Sequence, residues 1–132
     1  MAIESELLKD IHGIVASSSA RVAKAQRIAE AIRVAGDYRW VGLYDVTDTE
    51  VAIIAWSGAG PPAYPRFSVA KGLTGHAVSN RCTVVCNDVA TDPRYLTAFG
   101  STQSEIIVPI IRPATGVVVG TLDVERAQER LH

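Results

Sequence analysis

Three acidic residues stand out in the apolar C-terminal part of the chain. Glu105 lies in SEIIVPII, and Asp123 and Glu125 lie in VVVGTLDVE, two stretches that otherwise have the composition of buried strands. Neighbouring carboxylates raise each other's pKa, more so when they are partly buried, and a cationic or donor-rich ligand relieves their repulsion. The three acids are therefore a candidate binding site. Solvation at ordinary strand ends is the alternative interpretation, and spacing alone leaves both open.

The two acidic stretches are predicted to form one antiparallel hairpin around RPATG. If Ile111 pairs with Val117, Glu105 lies opposite Asp123, with about 5 Å between the Cβ atoms. Side-chain alternation places Glu125 on the same face as Asp123. A slip of one residue would turn Glu105 to the other face, so the convergence of the acids depends on the register.

The other residues that could react or bind a metal give weaker indications of a site. Cys82 and Cys86 lie in RCTVVC, where an extended strand would separate them by about 13 Å. A disulfide needs Cα atoms within about 7 Å, so we expect two small residues of a core strand, with a redox role as the alternative. His76 has no second ligand at metal spacing, which argues against a zinc site. Asp88 and Asp92 are expected to shape turns.

Composition limits the class of protein. The chain has 132 residues, of which 48% are apolar and 20% charged, and we expect a single domain over residues 1–132. Thirteen basic and 14 acidic residues give a net charge of −1 without a basic stripe, so neither nucleic acid nor membrane is an expected partner. Acids within the N-terminal apolar pattern argue against a signal peptide, and no apolar run reaches the roughly 20 residues of a membrane span. A cytoplasmic protein without a cofactor is the expectation.

Hydrophobic periodicity predicts an α+β domain. Two N-terminal helices are expected within residues 1–35, at 3–16 and 20–35, with Gly36 closing the second. The period then changes to two, which predicts a mainly antiparallel sheet with inserted helices and loops over 38–125. A short helix at 71–80 and a long loop at 88–102 interrupt the sheet. The strands are expected at 39–46, 51–56, 66–69, 81–86, 104–111 and 117–125.

Four motifs in this order carry a resemblance to a known family. RWVGLYDV, KGLTGHAVSN, CNDVATDPRY and SEIIVPI…GTLDVE resemble the corresponding stretches of a GAF domain, over about residues 20–125. The resemblance implies a central antiparallel sheet of about six strands, with helices on one face and a loop-covered pocket on the other. It also implies small-ligand binding or dimerisation, often in signalling proteins.

Within that family, WVGLY, SEIIVPI and GTLDVE are similar to the free methionine-(R)-sulfoxide reductases. The similarity implies that Trp40 and Tyr44 line a substrate pocket. It also implies that three acids hold the polar end of an amino acid: Glu105, Asp123 and Glu125. Glu125 departs from the Asp of that family and would crowd the pocket by one methylene.

The cysteines of those reductases have no counterpart here. Their three positions correspond to Tyr64, Thr74 and Ala98, and none of these side chains can replace an attacking thiolate. We therefore expect no catalytic residue at these positions, although all three remain candidate ligand-binding residues. The free thiols of the chain, Cys82 and Cys86, lie on a different predicted strand.

The expected function is a non-catalytic GAF sensor with a signalling or regulatory role. Its ligand would be a free amino acid or a similar amine-bearing metabolite. One alternative is a module that forms a homodimer through the N-terminal helices, with its pocket filled by Tyr64. A second is a divergent reductase with residual thiol chemistry at Cys82 or Cys86. A Ca²⁺ or Mg²⁺ ion held by the carboxylates is the third.

Overall fold

A computed structural model describes residues 2–87 and 102–127. Within these residues two helices come first, and a six-stranded sheet with one inserted helix follows. The helices are α1 (Ala2–Ala16), α2 (Arg21–Gly36) and α3 (Gly72–Asn80). The strands are β1 (Trp40–Val46), β2 (Glu50–Gly58), β3 (Arg66–Ser68), β4 (Val84–Cys86), β5 (Thr102–Ile111) and β6 (Val118–Ala127).

The sheet has the strand order β3-β2-β1-β6-β5-β4, and every neighbouring pair is antiparallel. The last strand, β6, lies at the centre between β1 and β5, so residues from distant parts of the sequence meet across it. The β1–β2 turn is closed by the Thr47 hydroxyl, which accepts hydrogen bonds from the backbone N–H groups of Thr49 (3.4 Å) and Glu50 (3.0 Å). The predicted α+β, GAF-like architecture is confirmed.

Helix α2 covers one face of the sheet through small residues. Ala25 and Ala29 are buried, and Ala29 packs against Val41 of β1 and Val124 of β6. The helix was predicted to be closed by Gly36, but Gly36 is its last residue, and Asp37 takes the left-handed conformation at φ 53°. Gly36 is small for another reason, because a Cβ there would lie 2.1 Å from the Tyr38 ring.

The register of the final hairpin differs from the predicted one. Ile111 pairs with Val118 and not with Val117, because the register shifts between Ile110 and Ile111. Glu105 consequently lies opposite Glu125 and not opposite Asp123. The displacement amounts to two residues at Glu105, so it preserves the face on which this side chain points.

The strand predicted at 81–86 is shorter than expected. Arg81 adopts a left-handed conformation at φ 51° and ends α3, and β4 begins only at Val84. Cys82 therefore lies exposed in the connection, whereas Cys86 is buried in the strand, and both are free thiols. Within the described ranges, no helix is long and apolar enough to cross a membrane.

Candidate ligand-binding site

Three carboxylates meet on the sheet face opposite α2. Glu105 of β5 lies directly across from Glu125 of β6, and Asp123 lies two residues before Glu125 on the same face. All three are buried, with exposed fractions of 9% for Glu105, 4% for Asp123 and 2% for Glu125. Burial of three acids in one patch is costly unless hydrogen bonds, protons or a ligand offset their charge.

Asp123 lies at the centre of the patch. Its Oδ2 accepts a long hydrogen bond of 3.4 Å from the hydroxyl of Thr74 on α3. Its Oδ1 is buried and has no hydrogen-bond donor among the described residues. Gly42 pairs with Asp123 on the β1 side and has no side chain with which to contact it. The acid therefore presents an unsatisfied oxygen on the interior of this face.

Burial changes the protonation of the patch. It raises the pKa of Asp123 to about 7; the hydroxyls of Thr121 and Thr74 oppose the shift, and the charge of Glu125 adds to it. Burial also raises the pKa of Glu105 well above its usual range, and the charges of Asp123 and Glu125 raise it further. The pKa of the neighbouring Tyr44 phenol is raised as well, first by burial and then by the three acids. The patch resists carrying all of its negative charges at neutral pH.

A small cavity opens onto the three acids. Its volume is about 40 Å³, enough for one or a few water molecules. Aromatic rings form part of its wall, and the rings of Tyr44 and Phe67 meet edge to face with centroids 5.9 Å apart. The lining residues are Tyr44, Pro62, Tyr64, Phe67, Gly72, Leu73, Thr74, Glu105, Asp123 and Glu125.

The first turn of α3 forms the part of the wall that carries hydrogen-bond donors. Gly72, Leu73 and Thr74 line the cavity, and Gly72 takes a φ of 71°, which favours glycine. Lys71, the N-cap residue, makes no side-chain cap. The first N–H groups of a helix lack partners within the helix, and the helix dipole makes this end positive. The cavity therefore has acidic side chains on the sheet and backbone donors on α3.

Trp40 lies beside this site and is hydrogen-bonded to the loop that contributes part of its wall. It is 1% exposed, and its indole Nε1–H donates a hydrogen bond of 2.9 Å to the carbonyl of Gly60. Its ring lies over Gly42, where an added Cβ would come within 2.3 Å of it. Trp40 is not among the residues that line the cavity, although the same loop contributes Pro62 and Tyr64.

Comparison with known proteins gives the family. Residues 23–131 match the family model described as GAF domain. The chain belongs to the GAF family. GAF domain-containing protein A from Dictyostelium discoideum is 28% identical over 119 residues, which cover 90% of this chain and 73% of that protein. The free methionine-R-sulfoxide reductase of Saccharomyces cerevisiae is 32% identical over 90 residues, 67% of this chain and 49% of that protein.

Solved structures share the fold of this GAF domain. Free methionine-R-sulfoxide reductase from Neisseria meningitidis, in complex with its substrate, superposes with a TM-score of 0.82 at 26% identity. The superposition covers 97% of this chain and 77% of that one. The reduced form of the Staphylococcus aureus enzyme gives a TM-score of 0.77 at 25% identity, over 97% and 82% of the two chains. The GAF fold is widely used for small-molecule binding and signalling.

The GAF domain brings together most of the site residues predicted from its sequence. Those that line the cavity are Tyr44, Tyr64, Thr74, Glu105, Asp123 and Glu125. Trp40 lies beside them, with its ring centroid 6.4 Å from that of Tyr44. Ala98 lies outside the described residues, as do Asp88 and Asp92. His76 is exposed on α3, and no group of three or more His, Cys, Asp and Glu side chains in the described part could hold a metal ion.

Four lining residues of the GAF domain were missed by sequence reasoning: Pro62, Phe67, Gly72 and Leu73. Gly72 and Leu73 directly precede Thr74, so the helix that carries Thr74 was a signal for them. Phe67 belongs to a strand of only three residues, and nothing local indicated which face it would share. Pro62 lies in a loop whose position follows from the Trp40 hydrogen bond to Gly60.

Proposed function

We infer that this GAF domain binds a small ligand with a protonated amine, a free amino acid in particular, and acts as a sensor without reductase chemistry. The observation that carries this proposal is the unsatisfied Oδ1 of Asp123, buried beside Glu105 and Glu125. An ammonium group brings a positive charge and three N–H donors. It therefore satisfies the buried oxygens and offsets the repulsion among the acids.

The opposite wall suits the other end of an amino acid. The first turn of α3 lines the cavity at Gly72 and Leu73, and anions bind readily at helix N-termini. The same turn holds Thr74, whose hydroxyl bonds to Asp123, so the two walls of the cavity are joined at this residue. A zwitterion with its ammonium group on the acids and its carboxylate on α3 complements both walls.

Two lining residues argue against reductase activity. Tyr64 and Thr74 line the cavity at positions where the similarity to the reductases implies cysteines. A hydroxyl group is a far weaker nucleophile than a thiolate at neutral pH. Cys86 is buried on β4 and Cys82 is exposed, and neither belongs to the described lining of the cavity. The names of the relatives nevertheless make methionine sulfoxide and methionine the first ligands to test.

Ligand entry requires movement of Tyr64. A cavity of about 40 Å³ is smaller than the roughly 300–1,000 Å³ of typical pockets for drug-sized ligands. Tyr64 is 44% exposed and lies in a loop with Pro61, Pro62 and Pro65, so its ring can turn toward solvent without unpacking the core. We expect Tyr64→Ala to enlarge the cavity and to strengthen binding.

Thermal unfolding in the presence of ligands tests the proposed function. L-Methionine-(R)-sulfoxide and L-methionine should raise the melting temperature of the wild type, because a ligand at 100 times its Kd adds about 2.7 kcal/mol to the free energy of unfolding. The shift should disappear in Glu105→Ala and persist in Glu6→Ala, an exposed acid on α1. An equal shift in both variants would place the ligand elsewhere, and no shift with either compound or other free amino acids would contradict the proposal.

A homodimer through the N-terminal helices is a second candidate function. A groove of about 850 Å³ runs between α1 and α2, with Leu7 in its lining and Val34 exposed at 64%. Both sides carry charges of both signs, with Glu6, Lys9 and Asp10 on α1 and Arg27 and Glu30 on α2. A two-fold axis along the groove would bring the mixed charges of one copy against those of the other around the exposed Val34.

Light scattering tests this candidate. Val34→Asp should give a monomer, since it places a charge in the groove, whereas Val22→Asp, equally exposed on α2 but outside the groove, should leave the mass unchanged. A monomeric wild type, or a dimer that survives Val34→Asp, would contradict the assignment.

A further inference from the structure

We propose that a second cleft, at the opposite end of α3 from the cavity of the three acids, binds a small aliphatic carboxylate through Arg81. The first turn of α3 lines the cavity of the three acids at Gly72 and Thr74, whereas its last turn lines the second cleft at Val78 and Ser79. The two sites share no lining residue. The proposal is therefore independent of the proposed function.

The second cleft has the size and the lining of a small-molecule site. Its volume is about 520 Å³, within the roughly 300–1,000 Å³ of typical ligand pockets. Its wall comes from the end of β1 with the β1–β2 turn, the β3–α3 connection, the end of α3, and the β5–β6 turn with the start of β6. Each of these parts contributes at least one of six valines: Val46, Val69, Val78, Val117, Val118 and Val119. An aliphatic group in the cleft would therefore meet apolar side chains on every wall.

Arg81 lies at the rim of the second cleft and is held there at two points. It closes α3 in the left-handed conformation at φ 51°, and its backbone N–H donates a hydrogen bond of 3.3 Å to the carbonyl of Val78. Its Nη1 donates a second hydrogen bond, also of 3.3 Å, to the carbonyl of Gly116 on the β5–β6 turn. Gly116 leaves room for this contact, because an added Cβ would lie 3.4 Å from that nitrogen. The guanidinium is thus fixed between α3 and the hairpin.

Most of the donors on this guanidinium are available to a ligand. A guanidinium presents five N–H donors in a planar fork that matches a carboxylate. Among the described residues, the Arg81 side chain donates only to the neutral Gly116 carbonyl, and no acid there forms a salt bridge with it. Its charge therefore lacks a counter-charge within the described ranges. A carboxylate at the rim would supply one, and the attraction is stronger beside apolar side chains than in open water.

The distribution of charge in the second cleft favours a carboxylate with an apolar tail over other ligands. Apart from Arg81, the charged residue in its described lining is Asp48, which is exposed on the β1–β2 turn, where water screens it. A cation would be repelled by Arg81, and a ligand with several negative charges would find one guanidinium among valines. An aliphatic carboxylate places its charge on Arg81 and removes its tail from water against the valines. This ligand class complements both parts of the lining.

An NMR titration with three small probes tests the ligand class. In ¹⁵N-labelled protein at neutral pH, 4-methylpentanoate should shift amide signals in a saturable way, with the largest changes at Ser79, Arg81 and Val117. 4-Methylpentanamide has the same tail without the charge, and acetate has the charge without the tail. Each should bind at least about tenfold more weakly, because it uses only one part of the lining. Equal binding of either control, no saturable shift with 4-methylpentanoate, or largest shifts at the cavity of the three acids would overturn the proposal.

Two pairs of variants, titrated with 4-methylpentanoate, test the residues. Arg81→Gln should raise the Kd at least about tenfold, whereas Arg112→Gln, which removes an exposed arginine outside the described lining, should leave it unchanged. Val117→Asp places a negative charge in the second cleft and should abolish saturable binding.

Val85→Asp is the control for Val117→Asp, because Val85 is exposed to 57% and Val117 to 55%, and Val85 lies on β4 outside the cleft. The Val117 pair keeps the test valid if Arg81→Gln disturbs the end of α3. An unchanged Kd in Val117→Asp, an unchanged Kd in a folded Arg81→Gln, or equal losses in a variant and its control would overturn the proposal.

Discussion

The two faces of the sheet bury different kinds of side chain. On the face covered by α2, Ala29 meets Val41 and Val124, and all three are apolar and buried. On the other face, Asp123 and Glu125 are as deeply buried as those apolar residues. Both faces use adjacent residues of β6, because side chains alternate along a strand. One strand thus contributes to the packing core and to the candidate site.

The contrast indicates what each face is for. Apolar burial on the α2 face stabilises the fold at about 25 cal/mol for each Å² removed from water. Carboxylate burial on the other face costs free energy, because charged groups lose hydration and repel one another. Residues that oppose stability at a cavity are expected where a ligand binds. Disrupting the apolar packing of the α2 face should therefore lower stability, whereas neutralising a buried acid of the other face should raise it at neutral pH.

The largest change in stability is expected from a substitution on the α2 face. Ala29 is 0% exposed, so Ala29→Asp buries an unpaired charge between α2 and the sheet and should cost at least about 4 kcal/mol of the free energy of unfolding. Ala23→Asp, an exposed position on α2, should change it by less than about 0.5 kcal/mol. Urea denaturation measures both. A similar loss in the two variants would mean that Asp harms the helix itself and not its packing.

A somewhat smaller loss of stability is expected from a substitution at Gly42, where the second face contacts Trp40. In Gly42→Ala the new methyl would lie 2.3 Å from the Trp40 ring, and displacing a packed indole should cost about 3 kcal/mol. Gly13→Ala is the matched control, because Gly13 lies inside α1, three residues before its end, and nothing lies within 4 Å of an added Cβ. That variant should gain about 0.5–1 kcal/mol from helix propensity. A stable Gly42→Ala protein with unchanged tryptophan fluorescence would contradict the packing described for Trp40.

Much of the fold followed from local pattern. The change from helical to alternating periodicity after residue 36 located the boundary between the helices and the sheet, and the β1–β2 turn fell where it was predicted. The register of the last hairpin did not follow, because it depends on an irregularity between Ile110 and Ile111 that leaves no signature in composition. Glu105 kept its predicted face only because the displacement was by an even number of residues.

The candidate site was predictable in part. The three acids could be recognised as charged residues within apolar strands. The resemblance to the reductases added Tyr44, Tyr64 and Thr74. The contact between Thr74 and Asp123 spans 49 residues of sequence, and only the packing of α3 onto the sheet brings them together. Trp40 was expected on the pocket face, but its hydrogen bond to Gly60 depends on a loop conformation that local propensity does not specify.

The pH dependence of stability separates the two faces. For Asp123 the pKa rises from 3.8 to about 7 on folding, so the folded state binds more protons than the unfolded state between these values. The free energy of unfolding should therefore fall as the pH rises from about 4 to about 7. Asp123→Asn should remove much of this fall and exceed the wild type by about 2 kcal/mol at about pH 8, with little difference near about pH 4.

Urea denaturation across this pH range measures the effect, and Asp37→Asn is its control. Asp37→Asn removes one exposed carboxylate at the end of α2, outside the lining of the cavity, and should leave the fall in stability due to Asp123 in place. A profile of Asp123→Asn that runs parallel to that of the wild type would mean that Asp123 is fully ionised in the folded protein. That outcome would remove the electrostatic contrast between the faces.

The smallest effect is expected at the edge of the site. Trp40→Phe keeps an aromatic ring in the core but removes the outer indole atoms that lie over Gly42 and the 2.9 Å hydrogen bond to the Gly60 carbonyl, which water can partly replace. The lost hydrogen bond should cost about 1 kcal/mol of global stability. Hydrogen exchange should nevertheless quicken in the β2–β3 loop that carries Tyr64, while α2 stays protected, because the lost bond tethers only that loop. Trp56→Phe on β2 alters the same aromatic cluster but leaves the Trp40 hydrogen bond in place, so it should leave exchange in the loop unchanged. If the loop exchanges at the wild-type rate in Trp40→Phe, the indole does not hold it, and Trp40 serves only the packing of the sheet.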